Sequence, residues 1–275
     1  SVSRINKKIP QSLLPQSFIS YQAPTMALKT IICSIALSSL PLAVALNPAC
    51  APGGNFDMRY WSLQLPTGTS SATIIPSSQL QGCSGYTDAN FFTDQSTGQM
   101  VLLAPGNPAL TNCVTTSGSV HCRTELREVV PSSGANAAWD PSGTNILQVT
   151  MTVVQADDGS HGTAIGQVFC QSGGVGKPLL EMYYSQSGTI VVGVKNNPSA
   201  NQIITQVGQV SLNTSFNYQL SYTGGRLFVW INGVQTELTG FSWTSPTCYF
   251  KTGNYNQGVS AAGSEVHIAA ITVSH

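Results

Sequence analysis

Period-two alternation of apolar and polar residues, broken by short turn sequences, constrains this 275-residue chain more than any other feature. It runs through "TNILQVTMTVVQ" (144–155), "LLEMYYS" (179–185), "TIVVGVK" (189–195), "NYQLSYTGGRLFVWING" (217–233) and "SEVHIAAITVS" (264–274). All five are rich in the β-branched and aromatic residues that suit a pleated, half-buried surface. Asp158-Gly159, Ser187-Gly188, Gly224-Gly225 and Asn232-Gly233 punctuate them with hairpin-turn chemistry. Strands at spacings of roughly ten residues, with no helical period long enough for a crossover, predict an all-β, antiparallel sandwich or jelly roll.

The N-terminal part follows other rules. From Met26 the sequence reads "MALKTIICSIALSSLPLAVA", a lysine, a mainly apolar run and a small-residue Ala43-Val44-Ala45 end. That pattern predicts a secretory signal over 26–45, cleaved after Ala45. Its apolar core is shorter than the roughly 20 residues a membrane span needs. Residues 1–25 lack both periodicities and are expected to be a leader outside the native protein, leaving 46–275 as one domain. Four of the eleven basic residues precede residue 46 and all eleven acidic ones follow it. Seven bases against eleven acids give 46–275 a net charge of −4. Such a balance excludes nucleic acid as a partner, which requires a basic field. Any anionic ligand must be met by a few focused cations.

Six cysteines remain after Cys33 falls in the signal. An even number in a secreted chain, without zinc-site spacings, predicts disulfides, for which fifteen pairings exist. Cys113 and Cys122 suit a short hairpin and Cys170 and Cys248 a link between strands, which leaves Cys50 with Cys83. Asn213-Thr214-Ser215 is a glycosylation sequon that agrees with a secretory route.

Three stretches carry the candidate chemistry. In "HCRTELREV" (121–129) a strand would set His121, Arg123, Glu125 and Arg127 on one face and Cys122, Thr124 and Leu126 on the other. Taken alone this is an ordinary solvated face of alternating charges, yet a chain so poor in charge concentrates two arginines and two acids here. Glu125 and Glu128 cannot form a hydrolase pair, because an offset of three sends them to opposite faces. Asp157-Asp158-Gly159 has the composition of a turn. In "HGTAIGQVFCQ" (161–171) Gln167 and Phe169 share a face that Cys170 does not. In "YFKTGNYNQ" (249–257) Tyr249, Lys251, Gly253 and Tyr255 share one face, with Cys248 and Phe250 on the other.

"RTELRE", "IGQVF" and "YFKTGNYNQ", in that order in a chain that also carries "YWSLQLPTG", resemble the three signature strands of the alginate lyase 2-like polysaccharide lyases. Polysaccharide lyase family 7 holds the best-known members, and glucuronan lyases are close structural relatives. The resemblance covers most of 56–275, and the last motif is its most specific part. It implies a concanavalin-like β-jelly roll whose concave sheet forms a groove for a uronate chain cleaved by β-elimination. Arg123 and Gln167 match the positions that neutralise the substrate carboxylate, and Tyr255 the tyrosine that takes the C5 proton and protonates O4. A phenol titrates near 10, so its anion needs cations, for which Arg123, Arg127 and Lys251 are candidates. Glu125 would orient the arginines, and Tyr249, Phe169 and Gln257 would complete the substrate-binding face.

One position departs from the pattern: Phe169 stands where the family carries a histidine. His121, about 7 Å from Arg123 along a strand, is one substitute, and His161, near the start of the Gln167 strand, is another. A third course leaves Tyr255 as both base and acid, a syn elimination suited to mannuronate or glucuronate. The expected protein is a secreted, monomeric polysaccharide lyase acting on alginate, with mannuronate linkages preferred. Glucuronan lyase and a non-catalytic carbohydrate-binding protein on the same fold are the alternatives. Side chains suffice for the elimination, so neither metal nor cofactor is expected, and the mature protein is expected to have no membrane or nucleic-acid partner.

Overall fold

The computed structural model describes residues 45–275 apart from residue 117, so the expected leader and all but the last residue of the expected signal segment lie outside the described residues. The strands are β1 (Trp61–Gly68), β2 (Ala72–Ile75), β3 (Phe91–Thr93), β4 (Met100–Ala104), β5 (Arg123–Glu128), β6 (Ile146–Gln155), β7 (Thr163–Ser172) and β8 (Val175–Tyr184), followed by β9 (Thr189–Lys195), β10 (Gln202–Gln209), β11 (Ser215–Thr223), β12 (Arg226–Ile231), β13 (Val234–Leu238), β14 (Thr247–Tyr255) and β15 (Ser264–Ser274). They form two antiparallel sheets, one of eight strands in the order β10-β9-β8-β7-β14-β5-β1-β2 and one of seven in the order β13-β12-β11-β6-β15-β4-β3. This is the jelly-roll sandwich that the alternation predicts.

Three of the four hairpin signals hold: Ser187-Gly188 joins the paired strands β8 and β9, and the other two have positive φ at both central residues. Gly224-Gly225 (φ 57° and 73°) joins β11 to β12, and Asn232-Gly233 (φ 49° and 82°) joins β12 to β13. These are the signs of primed turns, whose twist matches that of the flanking strands. Asp158-Gly159 is different. It lies between β6 and β7, which belong to different sheets, so it turns the chain from one layer to the other and closes no hairpin. Asp157 accepts the backbone N–H of Gln257, and Asp158 those of Val259 and Ser260, which fixes the segment that follows β14.

Between the layers, Leu63, Leu65, Leu126, Val168, Met182 and Phe250 of the larger sheet meet Met100, Leu102, Met151, Phe216, Leu220 and Ile268 of the smaller. Each such side chain contributes on the order of 1.5–3 kcal/mol by leaving water. Tyr218 crosses the core, and its hydroxyl lies 2.9 Å from the carbonyl oxygen of Ile165 on β7 and 2.5 Å from Oγ1 of Thr252 on β14. The three predicted disulfides form: Cys50–Cys83, Cys113–Cys122 and Cys170–Cys248. The last joins cross-strand partners on β7 and β14.

β14 carries an irregularity that matters for what it presents. Its register with β7 shifts between Thr252 and Tyr255, where β14 holds one residue more than its partner. Gly253, at φ 136°, sits inside this bulge. A Cβ there would lie 2.8 Å from the carbonyl oxygen of Thr124 and 3.0 Å from Leu102. The position therefore requires glycine on both conformational and steric grounds. Gly253→Ala is expected to cost about 1–3 kcal/mol, lowering the thermal midpoint by roughly 2–4 °C per kcal/mol. An unchanged midpoint in a thermal melt would refute the account.

Candidate active site

The three motifs become neighbours because β14 lies between β7 and β5. Across these strands Lys251 is opposite Arg127 on one side and Gln167 on the other, while Gly253 is opposite Glu125 and Tyr255 opposite Arg123. All of these face away from the core, yet they are not solvated. Arg123 is 8 % exposed, Glu125 and Gln167 2 %, Lys251 5 % and Tyr255 9 %. That degree of burial overturns the reading of β5 as an ordinary exposed face of alternating charges.

Glu125 is the common partner. Arg123 Nη1 donates to its Oε2 at 3.0 Å, Lys251 Nζ donates to the same oxygen, and Gln167 Nε2 donates to Oε1 at 2.5 Å. Gly253 leaves no side chain on β14 between Lys251 and Tyr255, so the contact from Gln167 to Glu125 can pass over that strand. Burial pushes the Glu125 carboxyl up, but Lys251 and Arg123 outweigh it and hold the group below its ordinary value. Burial dominates for Lys251, which comes down to about 8 despite its carboxylate partner. Burial also raises the Tyr255 phenol, against the opposing effects of Arg123 and a hydrogen bond from Ser119.

The expected supply of cations to Tyr255 is corrected in part. Arg123 stacks on the ring at 3.6 Å, as expected, whereas Lys251 is committed to Glu125 and Arg127 lies over Tyr249 at 4.2 Å. Glu125 therefore orients Arg123 but makes no ion pair with Arg127. Phe169 stacks on Tyr249 with centroids 5.0 Å apart, giving a ladder of Arg127, Tyr249 and Phe169 at one end of the site. Beside it Arg127, Asn136, Gln171, Thr247 and Tyr249 line a cleft of about 230 Å³. Burial pushes the Tyr249 phenol up to about 12.

Two further expectations need correction. His121 precedes β5 and so does not share its alternation, yet the loop returns its ring to 6.0 Å from Tyr255, edge to face. Burial keeps this imidazole below its ordinary value and thus neutral near pH 7. Gln257 lies beyond the end of β14, and its side-chain amide turns back to the carbonyls of Tyr255 and Asn256 at 3.3 Å. It does not join the outer-face cluster. His161 stands 5.8 Å from the ring of Tyr183.

Several site residues escape the motifs. Gln64 on β1 is opposite Glu125 and 8 % exposed. Among the described residues its Nε2, like Nε of Arg123 and of Arg127, has no hydrogen-bond partner. Unused donors in a buried polar layer are costly unless an acceptor arrives. On β8, Tyr183 packs against Tyr255, and both Tyr183 and Gln202 donate to Glu181, whose carboxyl is raised by burial. Period-two alternation in "LLEMYYS" puts Glu181 and Tyr183 on one face, so that pair was available from the sequence. Ser119, whose Oγ is 2.8 Å from Tyr255 Oη, lies in a loop with no periodic signal.

A cavity of about 390 Å³ on the opposite layer is lined by Gln148, Asn217, Gln219 and Trp230 among others, without a charged side chain, and offers nothing to neutralise an anion. The alginate lyase family matches residues 56–275. A curated alginate lyase from Klebsiella pneumoniae is 23 % identical over 82 % of this chain and 90 % of its own length. The crystal structure of alginate lyase A1-II′, a member of polysaccharide lyase family 7, is similar with a TM-score of 0.70 and 29 % identity, covering 82 % of this chain and 98 % of the other. An alginate lyase from Pseudomonas aeruginosa follows at 0.69 and 26 %, over 80 % and 99 %. With the family matched across both sheets and all three motif strands, this chain belongs to the alginate lyase family of polysaccharide lyases.

Proposed function

We propose that the protein is a secreted lyase that cleaves alginate, at mannuronate linkages in preference, with Tyr255 as base and acid and Arg123 and Gln167 neutralising the carboxylate. The observation that carries this reading is the convergence of Arg123, Lys251 and Gln167 on Glu125 beside a tyrosine stacked under Arg123. Secretion is supported by the signal-like segment over 26–45 and by the disulfides. A structure of the relative A1-II′ in complex with substrate supports an alginate chain as the ligand class.

The chemistry accounts for the residue types. The C5 proton of a uronate is too weakly acidic to leave unless the adjacent carboxylate is neutralised as negative charge develops on it. The unused donors of Arg123 and Gln64, with the second amide hydrogen of Gln167 beyond the one given to Glu125, suit that carboxylate. The Tyr255 phenolate takes the C5 proton, the electron pair of the C5–H bond forms the C4=C5 double bond, and the C4–O4 bond breaks. The phenol then gives its proton to O4, so the enzyme returns to its starting state. In mannuronate and glucuronate the C5 hydrogen and O4 lie on one side, so one group can serve both steps. Phe169, which can move no proton, favours such a course over one needing a second base.

Purified protein added to polymannuronate, polyguluronate and glucuronan should raise the ultraviolet absorbance of the unsaturated product fastest with the first. No rise with any of the three would end the proposal, and a faster rise with glucuronan would reassign the substrate. Tyr255→Phe should lower kcat by about 10²–10⁴-fold while polymer binding persists.

The pH profile follows from the directions of the shifts. Tyr255 is raised, so its base form grows with pH and the rate climbs through neutrality. Lys251 is lowered to about 8, so above that value the site loses one of its cations and the affinity for a polyanion falls. The profile of kcat/KM should therefore turn over near this value, and Lys251→Arg, which keeps the charge, should move the descending limb upward. A descending limb that stays in place in that variant would exclude Lys251 as its source.

Glu125→Gln leaves two buried cations without a carboxylate and should cost about 3–5 kcal/mol in urea denaturation. The contribution of Glu125 is complete above the ordinary value of 4.5 and is lost as pH falls through its lower folded value. The wild-type and glutamine stabilities should thus converge in acid; a gap that stays constant down to the lowest measurable pH would contradict this.

A further inference from the structure

The loop that precedes β5 is anchored on three sides. Cys113 and Cys122 join its ends, the N–H of Val114 donates to the Pro66 carbonyl of β1 at 2.8 Å, and the N–H of Asn256 donates to the carbonyl of Cys122 at 3.0 Å. Its base is thereby tied to the residue that follows Tyr255. From this loop Val120 points to solvent, 74 % exposed, while its neighbour Ser119 turns inward and brings Oγ to 2.8 Å from Tyr255 Oη. The N–H of Ser119 donates to the carbonyl of Thr116 at 2.9 Å, which closes the turn that presents it. Among the described residues Ser119 is the sole hydrogen-bond partner of the Tyr255 hydroxyl.

The surroundings of Ser119 Oγ suit a change in the charge of the phenol. The N–H of His121 donates to Oγ at 3.2 Å, and the carbonyl of His121 lies 3.2 Å from Oγ as an acceptor. A serine hydroxyl has one proton and two lone pairs. With Tyr255 protonated, the phenol donates to Ser119 Oγ and the serine proton points to the His121 carbonyl. With Tyr255 ionised, rotation about the Cβ–Oγ bond turns the serine proton onto Oη, while the His121 N–H remains in place. In both states the Tyr255 oxygen keeps its bond to Ser119 Oγ; apart from the phenol proton itself only the serine hydrogen moves, and the His121 carbonyl gives up that donor when the phenol ionises. A hydrogen bond to an ionised oxygen is roughly twice as strong as one between neutral groups, so the arrangement favours the phenolate.

We propose that Ser119 is a positioning residue for Tyr255, a hydroxyl rotor held by the disulfide-closed loop that fixes the phenol when protonated and donates to it when ionised. This rests on the reading of Tyr255 as base and acid. It assigns the Cys113–Cys122 loop a part in proton transfer that neither the three strand motifs nor the carboxylate cluster supplies.

The test compares Ser119→Ala, Ser119→Thr and Tyr255→Phe with the wild type, all with disulfides intact, by steady-state kinetics on polymannuronate across pH and by thermal melts. Ser119→Ala should lower kcat about tenfold or more and move the ascending limb of log kcat/KM upward by about one pH unit, the effect of a tenfold loss of phenolate. KM should change less than about twofold, and threonine, which keeps the hydroxyl, should restore the limb. An alanine variant whose limb stays at the wild-type position overturns the proposal, even if its activity falls through KM or its melting point drops, because a loop that only shapes the surface would behave so. A threonine variant displaced as far as alanine overturns it too. If Tyr255→Phe remains active, the underlying assignment of Tyr255 has failed; if that variant is inactive while alanine leaves the limb unmoved, only the role of Ser119 has.

Discussion

A single buried carboxylate organises the site. Removing an ionised group from water costs several kcal/mol, and Glu125 offsets this only because three donors from three adjacent strands reach its two oxygens. The dependence is mutual. Lys251 is already depressed to about 8 with Glu125 beside it, so without that carboxylate its ammonium would have no counter-charge. Arg123, Arg127 and Lys251 stand around Glu125 in this layer, which gathers positive charge within a segment, 46–275, whose net charge is −4. A focused field of this kind draws a polyanion to the site rather than to the whole surface. Glu181 opposes it less than an ordinary acid would, because burial keeps its carboxyl protonated to higher pH.

The backbone that makes this contact set is specified at few points. β14 must run between β5 and β7, must leave room over its own backbone for the Gln167–Glu125 bond, and must turn Tyr255 toward Arg123. Gly253 and the bulge serve the second and third needs, and Cys170–Cys248 together with the hydroxyl of Tyr218 hold β14 against β7 and the opposite sheet. Catalytic precision in the proposed reaction thus depends on main-chain features as much as on the charged side chains they carry.

Alternation made much of this legible. "TIVVGVK" and "SEVHIAAITVS" coincide with β9 and β15, and the shared face of Tyr249, Lys251 and Tyr255 follows from period two alone. Alternation fails where the strand stops. His121 and Gln257 each lie two residues past a strand end, so their side chains obey loop geometry instead. Ser119 could not be found at all, since a loop whose path is set by a disulfide and two backbone hydrogen bonds leaves no periodic trace. Nor could alternation tell that the polar face would be nearly dry. That property arises when long side chains from neighbouring strands cover one another, which depends on strand order and not on any one segment. Asp158-Gly159 shows the opposite limit: the turn chemistry was right, but local sequence does not say whether a turn closes a hairpin or changes sheets.

Phe169 gains a meaning from the layout of the whole face. In the family this chain resembles, a histidine occupies that position; here a phenyl ring stacks on Tyr249 and extends toward Arg127. Proton-carrying groups are then concentrated at the other end, where Tyr255, Ser119 and His121 meet, while the carboxylate-binding donors lie between. Such segregation suits an elimination in which proton removal and proton return occur on one side of the sugar. For an epimer whose C5 hydrogen points away from O4, the Phe169 end would have to supply the second group. There Tyr249 lies against the Arg127 guanidinium and the Phe169 ring, neither of which can accept a proton. In the proposed reaction the replacement of one histidine therefore limits stereochemistry more than affinity, because the stacked ring can still bear on a sugar face but cannot move a proton.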